Sequence, residues 1–311
     1  MFFFDKRLFI GVIIVLGAMV SRRECHKAVE QHREKGRSMK IGYSTITWGG
    51  VVGHPAGVTA IKDLFYLANG DALAAISDIS SVGYQGTEMF DGNLAAFADR
   101  PDVILDALKK AKLQLVAVYT GANFIYDDIL EDELHKISQA AKLASEFGAS
   151  RLVVGGGAQR ARGELPDDMA KLGRALDQVV EIAASVGLEC SYHPHLGTIV
   201  EGPEALERLM SLSRIKFCPD TAHLTAGGGN PVELIEKYAD RLAHVHLKDY
   251  KYATGEFLPL GQGDIDFPGV IAAVRSSGYD SWLMVELDSY DGDPTDAAVV
   301  SKRYLDDLLA N

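Results

Sequence analysis

The chain has 311 residues, 47% of them hydrophobic and 24% charged, with a formal net charge of −12. Such a length and composition supply a globular protein with one large core or two ordinary ones. The acidic balance excludes sequence-independent nucleic-acid binding, which needs clustered Lys and Arg. Cys25, Cys190 and Cys218 form neither a CxxC pair nor a disulfide framework, as in a reducing compartment or as unpaired core thiols.

The first 38 residues differ from the rest. Lys6 and Arg7 precede an apolar run from Leu8 to Val20, short for a membrane span, which needs about 20 residues. Ser21 to Ser38 is highly charged and shows no clear small-residue cleavage site. Two readings stand: a signal or anchor segment, with export or membrane contact through residues 8–20, or a working protein that starts at Met39 and stays in the cytoplasm. Either way, residues 1–38 are expected to be an extension and residues 39–311 the domain.

From Met39 short apolar runs alternate with helical patterns. Lys40 to Ile46 is expected as the first strand, followed by a Gly/Pro/His-rich loop from Trp48 to Gly57. A helix at Asp71 to Ser81 stops at Gly83, a C-cap glycine. Gly86 to Phe90 is the second strand and carries Glu88 near its end. Pro101 to Lys112 opens with proline, as helices tolerate. Leu113 to Tyr119 is strand three, Glu131 to Phe147 a helix, and Arg151 to Val154 strand four, running into Gly155-Gly156-Gly157. Asp167 to Val186 is a helix closed by Gly187, and Leu188 to His193 is strand five. A helix at Pro203 to Leu212 precedes strand six, Lys216 to Asp220; a helix at Pro231 to Tyr238 precedes strand seven, Leu242 to Leu247. Phe267 to Ser277 is a helix, Trp282 to Leu287 strand eight, and Thr295 to Leu309 the last helix.

Helical crossovers return the chain to the same end of a sheet, so these strands are expected to run parallel. Eight strand–helix units over roughly 270 residues match a single (β/α)₈ barrel, an α/β TIM barrel, preceded by the N-terminal extension. A doubly wound sheet is the competitor, but the loop after the first strand, Thr47-Trp48-Gly49-Gly50, has no GxGxxG.

In such a barrel the site lies at the C-terminal ends of the strands. Ser191-Tyr192-His193-Pro194-His195 places two histidines at i and i+2 on one face of a strand. Asp220 with His223, His244 with His246, and Glu286 with Asp288 stand at the three following strand ends. A mixed imidazole and carboxylate set suits one divalent ion: Mn²⁺, Co²⁺, Zn²⁺ or Mg²⁺. The expected ligands are His193, Asp220, His246 and Glu286, one from each of strands five to eight. A single histidine near a strand end is commonly a hydrogen-bonded core residue; four donors at matched positions argue otherwise. His244 shares the face of His246 and reads either as its support or as a buried residue bonded to a backbone carbonyl. Glu88 reads as an exposed rim carboxylate or a substrate contact, Trp48 as a sugar-stacking ring or a plug of the barrel mouth. Lys248-Asp249 reads as a surface ion pair, with Lys248 also able to reach a substrate oxygen. Cys190 and Cys218 read as small core hydrophobes.

Five stretches resemble the xylose-isomerase-like TIM barrels, the broad group of sugar-phosphate isomerases and epimerases, and within it the myo-inosose dehydratases. They are Tyr192 to Thr198, Asp220-Thr221-Ala222-His223-Leu224, His244-Val245-His246-Leu247-Lys248-Asp249, Gly261 to Phe267, and Val285-Glu286. The resemblance runs from about residue 39 to the end. It implies one divalent ion held by Glu, Asp, His and Glu from strands five to eight. Asp220, His246 and Glu286 match the last three. His193 stands where many relatives carry the first Glu of Glu-x-His, and His195 takes the place of the substrate-contacting histidine. The Asp-x-x-His pattern puts His223 beside the substrate. In the epimerases that first Glu belongs to an acid–base pair of carboxylates, so His193 disfavours symmetric proton exchange and favours dehydration.

The expected chemistry is proton abstraction α to a carbonyl of a keto-sugar or cyclitol. Glu286 or His195 is the base and His223 or Lys248 the acid. Trp48, Glu88, His195 and His223 are the expected substrate contacts. The alternatives are a metal-dependent phosphoesterase or endonuclease of the same fold, against which the charge counts, and a non-catalytic sugar-binding barrel. A homo-oligomer is open.

Overall fold

The computed structural model describes residues 39–49 and 66–310; the expectations for residues 1–38 and for the loop beyond Gly49 lie outside them. Eight parallel strands form one sheet: β1 (Lys40–Ser44), β2 (Gly86–Phe90), β3 (Gln114–Ala122), β4 (Arg151–Gly156), β5 (Glu189–Tyr192), β6 (Lys216–Phe217), β7 (Val245–Leu247) and, last in the chain, β10 (Trp282–Val285). Their spatial order is β6-β5-β4-β3-β2-β1-β10-β7. The ends of that row meet. Ala243 N–H donates to the Phe217 carbonyl at 3.0 Å and His246 N–H to the Pro219 carbonyl at 2.9 Å, so the sheet closes into a (β/α)₈ barrel.

The helices between strands are α1 (Ala72–Val82), α2 (Asp91–Ala95), α3 (Asp102–Ala111), α4 (Leu130–Glu146), α5 (Asp168–Ser185), α6 (Pro203–Leu212), α7 (Thr221–Ala226), α8 (Pro231–Lys237), α9 (Phe267–Ser276) and α10 (Pro294–Ala310). The expected long helices are all present, each end within two residues. The differences are local and have causes. Strand six stops at Phe217 because Pro219 has no N–H to donate. Strand five stops at Tyr192 ahead of Pro194. Two short helices, α2 directly after β2 and α7 shortly after β6, stand where the sequence pattern marked no helix.

Alternation along the strands feeds two cores. Outward residues such as Tyr43, Leu152, Tyr192, Phe217, Val245 and Leu283 pack against the helices. Inward residues Val116, Tyr119, Val153, Cys218, Trp282 and Met284 fill the bore. A Cβ on Gly86 would lie 2.6 Å from both Trp282 and Val116, so that glycine makes room for the indole. Cys190 and Cys218 are buried free thiols in these two layers.

Between β7 and α9 the chain makes an antiparallel hairpin of β8 (Asp249–Lys251) and β9 (Glu256–Leu258), with Gly255 at φ +74° in its turn. Asp249 organises the loop after the hairpin. Its Oδ2 accepts from Gly261 N–H at 2.9 Å and Gly263 N–H at 2.8 Å, its Oδ1 from Tyr250 N–H at 2.8 Å and Ile265 N–H at 3.2 Å. Buried as it is, Asp249 is not the surface pairing partner the sequence suggested. The Gly261 to Phe267 stretch is thus a loop wrapped on one carboxylate. Asp249→Ala strands four amide donors and is expected to cost about 3–5 kcal/mol, several times one hydrogen bond. Urea unfolding measures it, and a loss below 1 kcal/mol would show that water replaces the carboxylate.

Candidate metal centre

Asp220 caps α7. Its Oδ1 accepts from Ala222 N–H at 2.9 Å and His223 N–H at 2.8 Å, as N-cap aspartates do. The cap fixes the carboxylate so that Oδ2 turns into the barrel mouth. His193 enters from the end of β5, His246 from within β7, and Glu286 from the residue after β10. One donor atom from each of His193, Asp220, His246 and Glu286 lies within 4.8 Å of the other three. His193 Nε2 is 3.8 Å from Asp220 Oδ2, and His246 Nδ1 abuts Glu286 Oε2.

All four side chains are buried. His193 Nδ1 and Nε2, Asp220 Oδ2, His246 Nδ1 and Glu286 Oε2 have no hydrogen-bond partner. Buried polar atoms are almost always satisfied, because leaving one bare costs free energy. Unsatisfied atoms from four residues, all able to ligate and all turned to one point, fit a divalent cation. Burial pushes the Asp220 carboxyl up, against the Lys248 charge. Burial and the neighbouring His246 hold His193 well below the usual imidazole range, so it is neutral and able to ligate. Burial also opposes ionisation of Glu286, but Lys248 and His246 hold its carboxyl well below the usual range.

Lys248 stands beside this set, fully buried rather than at the surface. Its Nζ lies 2.6 Å from Asp288 Oδ1, 3.4 Å from Asp220 Oδ2 and from Glu286 Oε1, and 3.2 Å from His223 Nε2. Burial disfavours its charge, but Asp220, Asp288 and Glu286 outweigh that and raise it. An ammonium only donates, so His223 accepts at Nε2 and carries its proton on Nδ1. The 3.5 Å approach of Leu196 N–H to His223 Nδ1 is then a contact rather than a hydrogen bond. His195 stacks on His223 with centroids 3.8 Å apart, its Nδ1 2.7 Å from the Leu196 carbonyl. A carbonyl only accepts, so His195 carries its proton on Nδ1 and its basic atom is Nε2.

The structure brings together His193, His195, Asp220, His223, His246, Lys248 and Glu286; of the two other expected substrate contacts, Trp48 bonds to α1 and Glu88 lies behind His246. Trp48 packs edge-on against Tyr43 with centroids 5.6 Å apart, and its Nε1–H donates to Asp78 Oδ2 on α1 at 3.0 Å. Its indole N–H finds its partner in the outer layer, so Trp48 neither plugs the mouth nor stacks over the cluster. Glu88 is buried inside the barrel, not at the rim; its Oε2 meets both His244 and His246 at 3.1 Å. His244 is accordingly bonded to a carboxylate rather than to a backbone carbonyl.

Sequence reasoning missed an aromatic wall and a cap. Tyr119 lies edge-on to His193 at 5.5 Å, backed by Phe90 at 5.4 Å and Tyr66 at 5.7 Å. Phe257 of the hairpin lies 4.9 Å from His223, with the Lys248 ammonium 5.0 Å from its ring. The hairpin signal was present in Thr254-Gly255 between Tyr250-Lys251-Tyr252 and Glu256-Phe257-Leu258.

Residues 76–308 match the family model described as xylose isomerase-like TIM barrel. An inosose dehydratase of Geobacillus kaustophilus (strain HTA426) is 29% identical over 269 residues, 75% of this chain and 86% of that protein. The rhizopine catabolism protein MocC of Rhizobium meliloti is 26% identical over 294 residues, 84% of each. Among solved structures, the IOLI protein with a bound zinc atom superposes with TM-score 0.70 at 16% identity, covering 88% of this chain and 98% of that one. A probable 3-DHS dehydratase, AsbF of Bacillus anthracis, gives TM-score 0.69 at 16% identity over 86% and 99%. Among the described residues no helix is long and apolar enough to cross a membrane.

Proposed function

The chain belongs to the xylose isomerase-like TIM barrel family, and from that premise we propose that it is a sugar- or cyclitol-modifying enzyme, a divalent-metal-dependent lyase that dehydrates an inosose-like keto-polyol. The observation that carries the reading is the set of unsatisfied buried atoms on His193, Asp220, His246 and Glu286. Bound by those four residues, a divalent ion such as Mn²⁺, Co²⁺, Zn²⁺ or Mg²⁺ supplies Lewis acidity for a carbonyl and its neighbouring hydroxyl.

The chain's own groups then divide the proton traffic. His195 Nε2, basic because Nδ1 is committed to the Leu196 carbonyl, takes the proton α to the carbonyl. The electron pair released from that C–H bond becomes the new double bond as the β C–O bond breaks. The departing hydroxyl takes a proton from the Lys248 ammonium and leaves as water; Asp288 at 2.6 Å and His223 at 3.2 Å aim that ammonium. General acid and base groups of this kind each contribute roughly 10²–10⁴-fold. Tyr119, Phe90 and Phe257 supply apolar walls that exclude water from the reacting carbons. His193 stands where an epimerase would need a second carboxylate to return the proton to the opposite face. That supports dehydration over epimerisation, as do the inosose dehydratases among the relatives.

The test is product analysis. Metal-free protein reloaded with each ion in turn is incubated with inosose and a panel of common ketoses. We expect loss of one water from inosose, seen by mass spectrometry, with no net isomerisation of the ketoses. Stoichiometric metal without turnover on any of them would make the barrel a binding protein, and an altered ketose would make it an isomerase.

A further inference from the structure

Glu88 is part of neither the proposed ligand set nor the proton path, yet it is a buried carboxylate in the bore of the barrel. Its Oε2 lies 3.1 Å from Nε2 of His244 and 3.1 Å from Nε2 of His246. An ionised carboxylate can only accept, so each ring must donate from Nε2. With Nε2–H committed to Glu88, the nitrogen of His246 left to ligate a cation is Nδ1. That Nδ1 is the atom that abuts Glu286 Oε2 and has no hydrogen-bond partner.

We propose that Glu88 is a positioning residue that locks His246 in the tautomer whose Nδ1 faces the cation, with His244 clamping the same carboxylate oxygen from the other side. The inference deepens the proposed function and rests on His193, Asp220, His246 and Glu286 being a cation site. The rival arrangement is a second cation held by Glu88, His244 and His246, whose donor atoms also lie within 4.8 Å of one another. It would require His246 to give up both ring protons and serve two ions at once. The hydrogen-bonded arrangement asks it to give up only the Nδ1 proton, and to one ion.

The experiment is Glu88→Leu, which keeps roughly the size but removes the one oxygen to which both rings donate. Two readouts are taken on metal-free protein. Long-range ¹⁵N–¹H spectra of the imidazoles, with His246 identified by its loss in a His246→Gln variant, report the tautomer. In the unmutated protein His246 should show a protonated Nε2, whether or not Nδ1 also carries a proton against Glu286, and in Glu88→Leu the Nε2 proton should be lost or shared between the two nitrogens. Titration calorimetry with Mn²⁺ or Zn²⁺ should show one ion per chain in both, bound roughly 10–100-fold more weakly by the variant, the usual effect of losing a ligand's supporting partner. Glu88→Ala takes the same role where Glu88→Leu does not fold.

An unchanged ring pattern and affinity in the variant, with only a lowered melting temperature, would reduce Glu88 to packing and overturn the inference. A second ion in the unmutated protein that disappears in the variant would overturn it in favour of the rival site. Failure of the unmutated protein to bind any ion removes the cation reading alone. The tautomer spectra still decide whether Glu88 sets the ring.

Discussion

Asp220→Asn is expected to empty the metal centre without unfolding the protein. The two oxygens of Asp220 do separate jobs. Oδ1 caps α7 through Ala222 and His223, and Oδ2 faces the cluster with no hydrogen-bond partner, 3.4 Å from the Lys248 ammonium. Asparagine caps a helix about as well as aspartate, so its amide oxygen stays on the two backbone amides. The NH₂ group then points at the cluster, where it cannot ligate. The Lys248 ammonium loses one carboxylate but keeps Asp288 and Glu286, so thermal stability of the metal-free protein should stay within a few degrees of the unmutated protein. Retained metal, measured on the purified protein, should fall below one-tenth of an ion per chain, on the order of the larger losses seen even for outer partners of a ligand. Turnover should fall with it. Asp220→Ala differs in the diagnostic way: it also loses the cap, at about 0.5–2 kcal/mol. If Asp220→Asn keeps both its metal and its turnover, the four-residue cluster is not a metal centre.

The barrel was legible because its signals are local. Gly83 and Gly187 close helices, Pro101, Pro203 and Pro231 open them, and the runs between are strand-length. The four-residue cluster was legible for a related reason: in a parallel barrel every strand end reaches one rim, so residues distant in sequence are placed by topology alone. What failed was the direction of side chains that leave the regular alternation. Trp48 sits in a 3₁₀ turn after β1, where a period of two no longer says which way a ring points. Lys248 and Asp249 are charged neighbours, which usually marks a surface; here each is buried and satisfied by partners far along the chain, Asp288 for one and the amides of Gly261 and Gly263 for the other. Glu88 gave no sign because its partners, His244 and His246, lie over 150 residues away. The aromatic wall was hidden because Phe90 and Tyr119 read as ordinary strand hydrophobes, and Tyr66 precedes the first recognisable helix.

Lys248→Met should produce the opposite signature: a destabilised metal-free protein that still binds metal. The ammonium is placed among Asp220, Glu286 and Asp288, at 3.4, 3.4 and 2.6 Å. Removing one partner of a buried charge pair is costly because the other charge stays behind, on the order of 3–5 kcal/mol. At the size of this domain that lowers the melting temperature by roughly 6–15 °C. A divalent ion restores the missing positive charge within the same ring of carboxylates. Metal should therefore raise the melting temperature of Lys248→Met by more than it raises that of the unmutated protein. Its affinity should be equal or higher, since a repelling cation has gone. Turnover should nevertheless fall by roughly 10²–10⁴-fold, the share of a lost general acid. Differential scanning fluorimetry with and without Mn²⁺, set beside calorimetry and the dehydration assay, separates these effects. A variant with unchanged melting temperature would mean that the three carboxylates do not need Lys248. A variant with unchanged turnover would mean that the proton for the leaving hydroxyl comes from elsewhere, with His223 the nearest remaining group. The two substitutions thus pull apart what the geometry joins: under the proposed function Asp220 would hold the ion, and Lys248 would stand in for it when it is away.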